Sequence, residues 1–526
     1  MSKPEKLNIT RATSLWLVFP VIFCAVVAAH WPLLRLPYYW DEAGYYIPAA
    51  YDFFRTGSII PYSTLSNAHP PLPAIYLAAA WKLFGFSALT TRVAMCGIAA
   101  VALTATWRLA LITTGRKSVA AATVALTALY PVFFAQSSLA HADLFAAGST
   151  LWALVFLLTS GLIPLWLSAA CFSLAALSKE TAIVTPLALA AWELWLFLRS
   201  RARHHLTRAA VLCLPILPLG LWYLYHWHRT GFVFGNPEYL RYNATATLTP
   251  LRVLIAFAHR VLHVTAHMNL FVSVTLMFAC MLLPPANEAD GTSRLRIAFD
   301  VQAIFYVIIL ANLILFSILG GALLTRYLLP LYPLVILLCV NTFRRRLRRW
   351  PAFVALSAVA FIAGLFVNPP YRFAPEDNLA YRDVILLHES AISQIQQHYP
   401  HSVVLTAWPA TDELTKPELG YVRQPIPVIA IDNFSCPQIQ KAAQLPDPYT
   451  AAFIFSTKYD PPHLFLSLGR RNEAIDARFF DFHRDLAPAA IARILDGSVT
   501  WQQQRKGQWA AVLHFDRPQE AKLLKP

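Results

Sequence analysis

Residues Thr13–Glu42 read TSLWLVFPVIFCAVVAAHWPLLRLPYYWDE, a long apolar run that ends in an aromatic cluster and two adjacent carboxylates, Asp41 and Glu42. An apolar run of this length can cross the hydrocarbon core of a bilayer as a helix. Tyr and Trp are enriched at the membrane–water boundary, and carboxylates held there are costly. The stretch therefore predicts a first membrane span followed by an acidic pair, which is either functional or a solvated loop beside an aromatic belt.

The composition of the whole chain extends this interpretation. The 526 residues are 57% hydrophobic and only 13% charged, and the mean hydropathy is +0.48. A soluble domain of this size would carry more charge and fewer apolar residues. The sequence therefore predicts a polytopic α-helical membrane protein whose partner is the lipid bilayer.

The net charge of +15 lies mostly in short basic clusters between apolar segments, such as Arg199–Arg203 and Arg344–Arg349. Clusters of this kind are typical of cytoplasmic loops and set the orientation of a membrane protein. We therefore expect no nucleic-acid partner. The first apolar run meets Trp31, Pro32 and Arg35 instead of a small-residue cleavage site, so it is predicted to be an uncleaved span.

The apolar runs predict about eleven transmembrane helices within residues 1–367. With the N-terminus cytoplasmic, every dense basic cluster falls on the cytoplasmic side. The predicted spans are 13–34, 89–112, 118–135, 143–160, 163–178, 181–198, 209–227, 255–284, 298–318, 328–342 and 351–367.

The first external loop is predicted to cover residues 35–88, and a second one residues 228–252. Within the first loop, Leu72–Phe84 is apolar but too short to span easily, and Pro70, Pro71 and Pro73 interrupt its start. This segment is therefore predicted to be a juxtamembrane helix.

Residues 368–526 change character and predict an external soluble α/β domain. Tyr381–His398 places Val384, Leu387, Ala391 and Ile395 on one helical stripe, which indicates an amphipathic helix. Four short segments rich in β-formers follow and are predicted strands, since strands alternating with helices indicate an α/β unit. These segments are Ser402–Ala407, Pro425–Ile431, Ala451–Ser456 and Trp509–Phe515.

Polar residues from separate parts of the chain collect at the external ends of the predicted spans. A carboxylate at headgroup depth can serve as a general base, and cations there can hold a phosphate. An enzyme that acts on an anionic lipid-linked substrate needs both. The candidates are Asp41, Glu42, His69, Asp143, Lys179, Glu180, Arg326 and Tyr327.

Each candidate also has a purely structural interpretation. Asp143 precedes an apolar run and is a good helix N-cap residue. Lys179 and Glu180 could form a solvated turn, His69 could close a turn before two prolines, and Arg326 with Tyr327 could be an interfacial anchor.

Two further features are ambiguous from the sequence. Arg92, near the start of the second span, is predicted to be a snorkelling anchor instead of a ligand. His259, His263 and His267 recur at helical spacing on one face, which could bind a metal ion, but no acidic partner is adjacent.

The candidate motifs, taken in order, resemble the bacterial branch of the protein O-mannosyltransferase superfamily. These are GT-C-fold transferases that include the lipid A aminoarabinose transferases. The resemblance covers about residues 10–370, and the tail segment Leu405–Glu413 (LTAWPATDE) is similar to a tail found on some bacterial members. The motifs are Trp40–Tyr46 (WDEAGYY), His69–Leu72 (HPPL), Asp143, Ser178–Glu180 (SKE) and Arg326–Pro330 (RYLLP).

This resemblance implies an inverting glycosyltransferase with a polyprenyl-phosphate sugar donor, built on undecaprenyl phosphate in a bacterium. Asp41 would be the general base near the sugar C1, and Asp143 would match the second acidic position, with Glu42 supporting the loop or raising the pKa of its neighbour. Lys179 and Arg326 would bind the donor phosphate, with Tyr327 and His69 beside them and Glu180 in a secondary position. The acceptor, which is a lipid, a glycan or a protein, stays open.

The chain departs from the family pattern at one position. Aminoarabinose transferases carry Glu-Lys before the Pro-Pro of the first loop, where Glu is tied to a metal and Lys to the donor phosphate; here the residues are Ala68 and His69. A divalent metal is therefore not required by the sequence, and the cofactor stays open. The Trp-Trp-Asp motif of oligosaccharyltransferases is not found in the tail.

We expect a multi-pass protein of the bacterial inner membrane, with the site and the tail domain on the periplasmic side. Two alternatives remain open. A transporter or flippase for a lipid-linked saccharide usually places its ionisable residues at mid-membrane on broken helices, whereas these cluster at span ends. A non-catalytic assembly subunit would use the tail for recognition.

Overall fold

The computed structural model describes residues 15–244, 247–445, 449–459, 469–480 and 482–516. The basic residues that precede the first span lie outside these ranges. Helices dominate the chain up to residue 398, and a small sheet follows. This is the predicted fold class, an α-helical membrane protein with a C-terminal sheet region.

Among the described residues, seventeen α-helices precede the C-terminal region. They are α1 (Leu15–His30), α2 (Ile47–Thr56), α3 (Leu72–Phe84), α4 (Ala88–Thr114), α5 (Lys117–Leu129), α6 (Pro131–Gln136), α7 (Ala142–Leu157), α8 (Leu162–Ser178), α9 (Val184–Ser200), α10 (Arg203–Cys213), α11 (Ile216–Thr230), α12 (Pro237–Asn243), α13 (Pro250–Thr265), α14 (Leu270–Met281), α15 (Phe299–Ile318), α16 (Tyr332–Arg346) and α17 (Trp350–Phe366).

Five helical segments among the described residues are long and apolar enough to cross a membrane: Ala88–Thr114, Glu180–Ser200, Arg203–Thr230, Pro250–Met281 and Phe299–Ile318. Shorter apolar helices accompany them, including the predicted juxtamembrane helix α3. The chain is thus a multi-pass membrane protein, and the number of about eleven spans stays a prediction.

Three predicted spans are broken in the structure, which corrects the sequence analysis. The third span, 118–135, stops at Tyr130 because Pro131 has no amide hydrogen to continue the helix. The seventh span begins earlier, at Arg203, and is interrupted at Leu214–Pro215.

The eighth predicted span, 255–284, is also divided. Met268 and Asn269 adopt left-handed backbone conformations, with φ of 48° and 66°. L-residues avoid this region except as single residues, so a helix cannot run through it. α13 and α14 are therefore separate helices.

Helix α4 connects the two ends of the bundle. Arg92, near its start, contacts Glu42, and Arg116, just past its end, contacts Glu288 together with Arg344. At 1.5 Å per residue the helix is about 40 Å long, so Glu42 lies far from Arg116 and Arg344. We call the end of the bundle that contains Glu42 the acidic end, and the end that contains Arg116 and Arg344 the basic end.

The C-terminal region carries a five-stranded sheet in the order β2-β1-β3-β5-β4, with β1 parallel to β2 and β3, and β5 antiparallel to β3 and β4. The strands are β1 (Val404–Ala407), β2 (Val428–Ile431), β3 (Ala451–Phe455), β4 (Ser498–Arg505) and β5 (Gln508–His514). The helices are α18 (Ala380–His398), α19 (Ala410–Thr415), α20 (Cys436–Ala442), α21 (Gly469–Phe480) and α22 (Pro488–Leu495).

The helix and the four strands predicted in this region are confirmed within a few residues. Strand β4 was not among the predicted strands, because its sequence SVTWQQQR is polar and its side chains are mostly exposed. An edge strand with little apolar alternation gives no period-two signal, so only its pairing with β5 identifies it.

Candidate active site

A cavity of about 1060 Å³ opens at the acidic end of the bundle. Its walls come from the segment after α1, the loop before α3, the α8–α9 and α15–α16 connections, helix α12 and the C-terminal region. Six of the eight candidate residues line it: Asp41, His69, Lys179, Glu180, Arg326 and Tyr327.

Five charged residues meet at the base of the cavity, and we call this cluster the floor: Arg326, Lys179, Asp41, Asp143 and Glu376. Arg326 is at its centre. It lies in the short helix Thr325–Leu328 that connects α15 to α16, and its side chain is 3% exposed. Its Nη1 donates to both carboxylate oxygens of Glu376 at 2.7 and 2.6 Å, and its Nη2 donates to Asp41. Its Nε lies 3.3 Å from Asp143 Oδ2. A residue paired with three carboxylates and buried from solvent is not an interfacial anchor, so that alternative is wrong.

Lys179 forms the second cation of the floor. Its Nζ donates to Asp143 Oδ1 at 2.5 Å and lies 3.7 Å from the centre of the Tyr327 ring. The side chain is 8% exposed, so the solvated-turn interpretation is wrong for Lys179. Asp143 lies in the first turn of α7, whose N-cap is His141; the N-cap interpretation of Asp143 is therefore also wrong.

The floor carries more negative than positive charge. Asp41, Asp143 and Glu376 contribute three carboxylates against the two cations Lys179 and Arg326, so the net charge of the floor is −1 when all are ionised. Burial raises the pKa of the Glu376 carboxyl from its ordinary value of 4.5 to about 8, although the Arg326 guanidinium lowers it. A proton on Glu376 makes the floor neutral.

A hydrogen-bonded histidine–glutamate pair lies in the cavity wall beside this floor. His69 Nδ1 is 2.9 Å from Glu180 Oε2, and its Nε2 is 3.5 Å from the Tyr239 hydroxyl. The imidazole also stacks on the ring of Tyr46 at 5.9 Å with an interplanar angle of 9°. His69 is thus held as part of an aromatic and acidic wall, and it does more than close a turn.

Glu42 occupies a different position from Asp41. It is fully buried and is not among the described residues that line the cavity. Arg92 donates to its two oxygens at 2.5 and 2.9 Å, while the amides of Ala140 and Tyr39 donate to the same oxygens at 2.5 and 2.9 Å. Arg92 is 1% exposed, so the prediction of a snorkelling anchor is wrong.

The Glu42–Arg92 pair joins two segments that carry the site. The Arg92 guanidinium also donates to the carbonyls of Pro37 and Ser138 at 2.8 and 2.9 Å. It therefore ties the segment that precedes Asp41 to the segment that precedes Asp143. All of the polar atoms named here are satisfied, as a buried ion pair requires.

Replacing Glu42 by Gln is expected to lower the free energy of unfolding by about 3 kcal/mol, because the buried Arg92 guanidinium loses its counter-charge and its hydrogen bonds to a charged group are weakened. Thermal unfolding followed by size-exclusion chromatography measures this loss. Glu288→Gln, in the basic end, is the matched control and should leave the acidic end intact. An unchanged melting temperature for Glu42→Gln would contradict the structural role of the pair.

Sequence reasoning missed several residues of the cavity. Glu376 lies in the short helix Pro375–Asp377 after α17, which the sequence analysis assigned to the soluble domain without a function. Tyr46, Tyr239 and Trp408 also line the cavity. The pattern of an acidic residue after a span end could have indicated Glu376, but its partner Arg326 is distant in sequence.

Most of the remaining lining is apolar and lies towards α11, α12 and α15, although Asn67, Asn243 and Lys458 also line the cavity. This apolar part adjoins Tyr327, so it is continuous with the charged floor. A ligand with an anionic group and a long apolar chain fits this arrangement of charged and apolar walls. The apolar lining includes Leu219, Tyr223, Phe234, Leu240, Leu315, Phe316, Leu319 and Leu324.

Within the described ranges, no group of three His, Cys, Asp or Glu residues is arranged to hold a metal ion. Of the three histidines His259, His263 and His267, the last is held by hydrogen bonds to other side chains. Its Nε2 lies 3.0 Å from Asp377 Oδ2, and its Nδ1 lies 3.1 Å from the Tyr371 hydroxyl. The His263 and His267 rings lie 5.4 Å apart. The structure thus gives His267 a role in the packing between α13 and the segment that carries Glu376.

The fold and this cavity define the class of the protein: a multi-pass membrane protein with a GT-C-like fold and a charged cavity at one end of its helices. The family model described as dolichyl-phosphate-mannose-protein mannosyltransferase matches residues 68–222. This match confirms the resemblance to that superfamily for the part of the chain that contains His69, Asp143, Lys179 and Glu180.

Two solved structures have a similar fold along almost the whole chain. Both are described as ArnT from Cupriavidus metallidurans, one in the apo state and one bound to undecaprenyl phosphate. Each is 16% identical in sequence with a TM-score of 0.51, and the alignment covers 95% of this chain and 98% of the ArnT chain. At this identity the likeness shows the fold. No curated protein sequence matches the chain.

Proposed function

We propose that the protein transfers a sugar from an undecaprenyl-phosphate donor to an acceptor hydroxyl with inversion at the sugar C1. The observation that carries this proposal is the Arg326–Lys179 floor with Asp41 at its edge. It combines cations for a phosphate and a carboxylate for a base in a single cavity with an apolar wall. The match of residues 68–222 to the mannosyltransferase family supports it.

The donor phosphate would bind at Lys179, Arg326 and Tyr327. Both cations are held in place by carboxylates before any ligand arrives, so their positions cost little reorganisation on binding. The polyprenyl chain would lie along the apolar wall formed by α11, α12 and α15. The ArnT structure with bound undecaprenyl phosphate supports a lipid of this kind for the shared fold.

The chemistry needs one base and one stabilised leaving group. Asp41 would take the proton of the acceptor hydroxyl as its oxygen attacks C1, and the bond from C1 to the phosphate oxygen would break on the opposite side of the sugar. The leaving undecaprenyl phosphate carries its own charge, which Lys179 and Arg326 would stabilise, so no general acid is required. The product has the inverted configuration because attack and departure occur on opposite faces.

Donor binding would also release the base. The Asp41 side chain is 33% exposed, and its carboxylate accepts a hydrogen bond from Arg326 Nη2. A phosphate that accepts from the same guanidinium would weaken this pair and free a carboxylate oxygen for the acceptor. Asp143, the buried carboxylate of the floor that pairs with Lys179 and Arg326, would then hold both cations in position.

The remaining candidates receive supporting roles. Glu42 would position the Asp41 loop through Arg92, and the His69–Glu180 pair would shape the sugar side of the cavity next to Tyr46. We place the catalytic part in residues 1–367 and the α/β part in residues 368–526, with the cavity on the periplasmic side of the bacterial inner membrane. The sugar, a hexose or a pentose, and the acceptor, a lipid, a glycan or a protein, are left open.

The test is the release of undecaprenyl phosphate from a panel of undecaprenyl-phosphate hexoses and pentoses by the purified protein in proteoliposomes. Turnover of one donor, with the sugar recovered on an acceptor from envelope extract, is the expected result. Movement of intact donor across the bilayer without release would instead indicate a flippase. Binding of donor without either event would indicate an assembly subunit.

Donor binding is expected to weaken as the pH rises through about 8, the pKa of Glu376. Because this pKa is raised, the carboxyl is neutral below pH 8 and adds a negative charge to the floor above it, which repels a phosphate. The charged groups that act on this pKa are Arg326, which lowers it, and Asp41, Asp377 and Asp143, which raise it.

Measuring the Kd of undecaprenyl phosphate between pH 6.5 and 9.5 in the wild type and in Glu376→Gln checks this prediction. The Gln side chain stays neutral, so the variant should lose the weakening above pH 8 that the wild type shows. The titration of the ligand's own phosphate is common to both proteins. Identical pH profiles for the two proteins would contradict the prediction.

A further inference from the structure

The segment that carries Asp41 lies between two parts of the molecule. On the helical side, Glu42 is held by Arg92 and by the amide of Ala140. On the other side, residues of the C-terminal region contact the same segment. The proposed chemistry assigns no role to this second set of contacts.

Three residues of the C-terminal region form what we call the clamp: Trp408, Leu419 and Tyr421. The Leu419 carbonyl accepts from the Tyr38 amide at 3.2 Å, and the Tyr421 hydroxyl donates to the Tyr38 carbonyl at 3.1 Å. The backbone amide and the backbone carbonyl of Tyr38, three residues before Asp41, are thus both hydrogen-bonded to the C-terminal region. Such backbone contacts fix the path of the chain whatever its side chains are.

Trp408 makes the third contact, directly beside Asp41. It follows β1, packs edge-on against Trp40 with ring centres 5.0 Å apart, and is 38% exposed in the cavity wall. Its indole also covers Gly44, where an added Cβ would lie only 2.7 Å from Trp408 Cζ2. The absence of a side chain at Gly44 therefore allows the indole to approach the helix Glu42–Tyr46.

The backbone at Trp40 needs such support. Trp40 has φ of 48°, which is costly for a bulky residue that is not glycine. A conformation of this kind persists only when the surroundings impose it. Here the surroundings are the Trp408 ring on one side and the turn closed by the Gly44 amide on the Trp40 carbonyl, at 2.9 Å, on the other.

We propose that the C-terminal region positions the Asp41 carboxylate over the Arg326 floor, and that Trp408 is the positioning residue. The C-terminal region is then a working part of the transferase site. This inference rests on the proposed function insofar as it concerns turnover, but the contact itself is tested without turnover. A clamp that orders Asp41 should affect the rate of the chemical step more than the binding of the donor phosphate, because no clamp residue contacts Lys179 or Arg326 among the described contacts.

The first test uses hydrogen–deuterium exchange of the full chain in nanodiscs. Trp408→Ala should raise exchange in peptides that cover residues 38–46, whereas Trp408→Phe, which keeps an aromatic ring, should stay close to the wild type. Trp501→Ala, a substitution of the same kind on strand β4, is the matched control. Unchanged protection of residues 38–46 in Trp408→Ala would overturn the proposal, and this result does not depend on any donor being known.

The second test uses Gly44. Gly44→Ala places a methyl group against the indole and should raise exchange in the same peptides, while the double variant Gly44→Ala/Trp408→Phe should recover part of the protection because the smaller ring leaves room. If Gly44→Ala behaves like the wild type, or if the double variant shows the sum of the two single effects, the packing of Trp408 on Gly44 does not order the segment.

The third test separates positioning from binding, with the donor that the panel identifies. Trp408→Ala should lower kcat by about 10- to 100-fold, since small displacements of a catalytic group have effects of this size, while the Kd of undecaprenyl phosphate stays close to that of the wild type. A variant with normal kcat and a raised KM for the acceptor would overturn positioning and indicate acceptor contact. A wild type that turns over no donor would contradict the proposed function and leave the exchange result as the test of the clamp.

Discussion

Replacing Asp41 by Asn is expected to lower the rate of sugar transfer by about 1000-fold, which lies within the range for removal of a general base. Asn has the size of Asp and can still accept a hydrogen bond from Arg326, so the fold and the floor should be retained. What it cannot do is take the proton from the acceptor hydroxyl. The loss should therefore appear in kcat.

The affinity of the same variant for undecaprenyl phosphate is expected not to fall. Asp41→Asn would remove one of three carboxylates from the floor, so the ionised charge of the floor would change from −1 to 0. Undecaprenyl phosphate should bind at least as tightly as to the wild type. The measurements are turnover in proteoliposomes and binding of undecaprenyl phosphate, with Asp300→Asn, at an exposed position near the start of α15, as control. Near-normal turnover by Asp41→Asn would exclude Asp41 as the base.

Replacing Arg326 by Gln is expected to have the largest effect on the folded state. Arg326 is the shared partner of Asp41, Asp143 and Glu376, and two of these carboxylates are buried. Without the guanidinium, Lys179 still pairs with Asp143, whereas Asp41 and Glu376 lose the cation that pairs with them. Removing one partner of a buried ionic group typically costs about 3–5 kcal/mol because charge is left uncompensated. A marked fall in melting temperature and loss of undecaprenyl phosphate binding are the expected results.

A double variant distinguishes instability from loss of function. Arg326→Gln/Glu376→Gln removes one cation and one carboxylate, so it should recover much of the melting temperature. It should still fail to bind undecaprenyl phosphate, because the guanidinium is missing. Arg296→Gln, at an exposed position near the basic end, is the control for the loss of one positive charge. Normal lipid binding by the double variant would contradict the assignment of Arg326 to the donor phosphate.

Arg326→Lys tests the geometry of the floor. A guanidinium presents five donors in a planar fork, whereas an ammonium is a point charge with three. The structure uses all three nitrogens of Arg326 towards three different carboxylates. The Lys variant should therefore keep part of the stability of the wild type but lose donor binding, as judged by the same two measurements.

Much of the architecture followed from the sequence because the bilayer imposes a local rule. A helix that crosses hydrocarbon must be apolar along its length, so runs such as the one in α4 are visible without knowledge of their neighbours. Breaks were harder to find. The one at Pro131 has a local cause, whereas the one at Met268 and Asn269 depends on a backbone conformation that no residue there demands.

In the candidate site, too, some features follow from the sequence and others only from the structure. The sequence brought Asp41, Lys179 and Arg326 into one list because charge at a span end is unusual wherever it occurs. It could not pair them. That Arg326 faces Asp41 rather than solvent, that Arg92 faces Glu42, and that Glu376 completes the floor are results of chain segments distant in sequence meeting in space.

The sequence by itself thus determined a multi-pass membrane protein, the short apolar helix α3, most of the described strands of the C-terminal region and the residue types of the site. These depend on hydropathy, periodicity and composition, which are properties of short segments. The tertiary structure alone decided which member of the Asp41–Glu42 pair faces the cavity, and that Trp408 reaches this loop. Burial and ion pairing depend on long-range contacts. Two adjacent carboxylates can therefore differ completely, since Asp41 lines the cavity whereas Glu42 is buried in the packed interior.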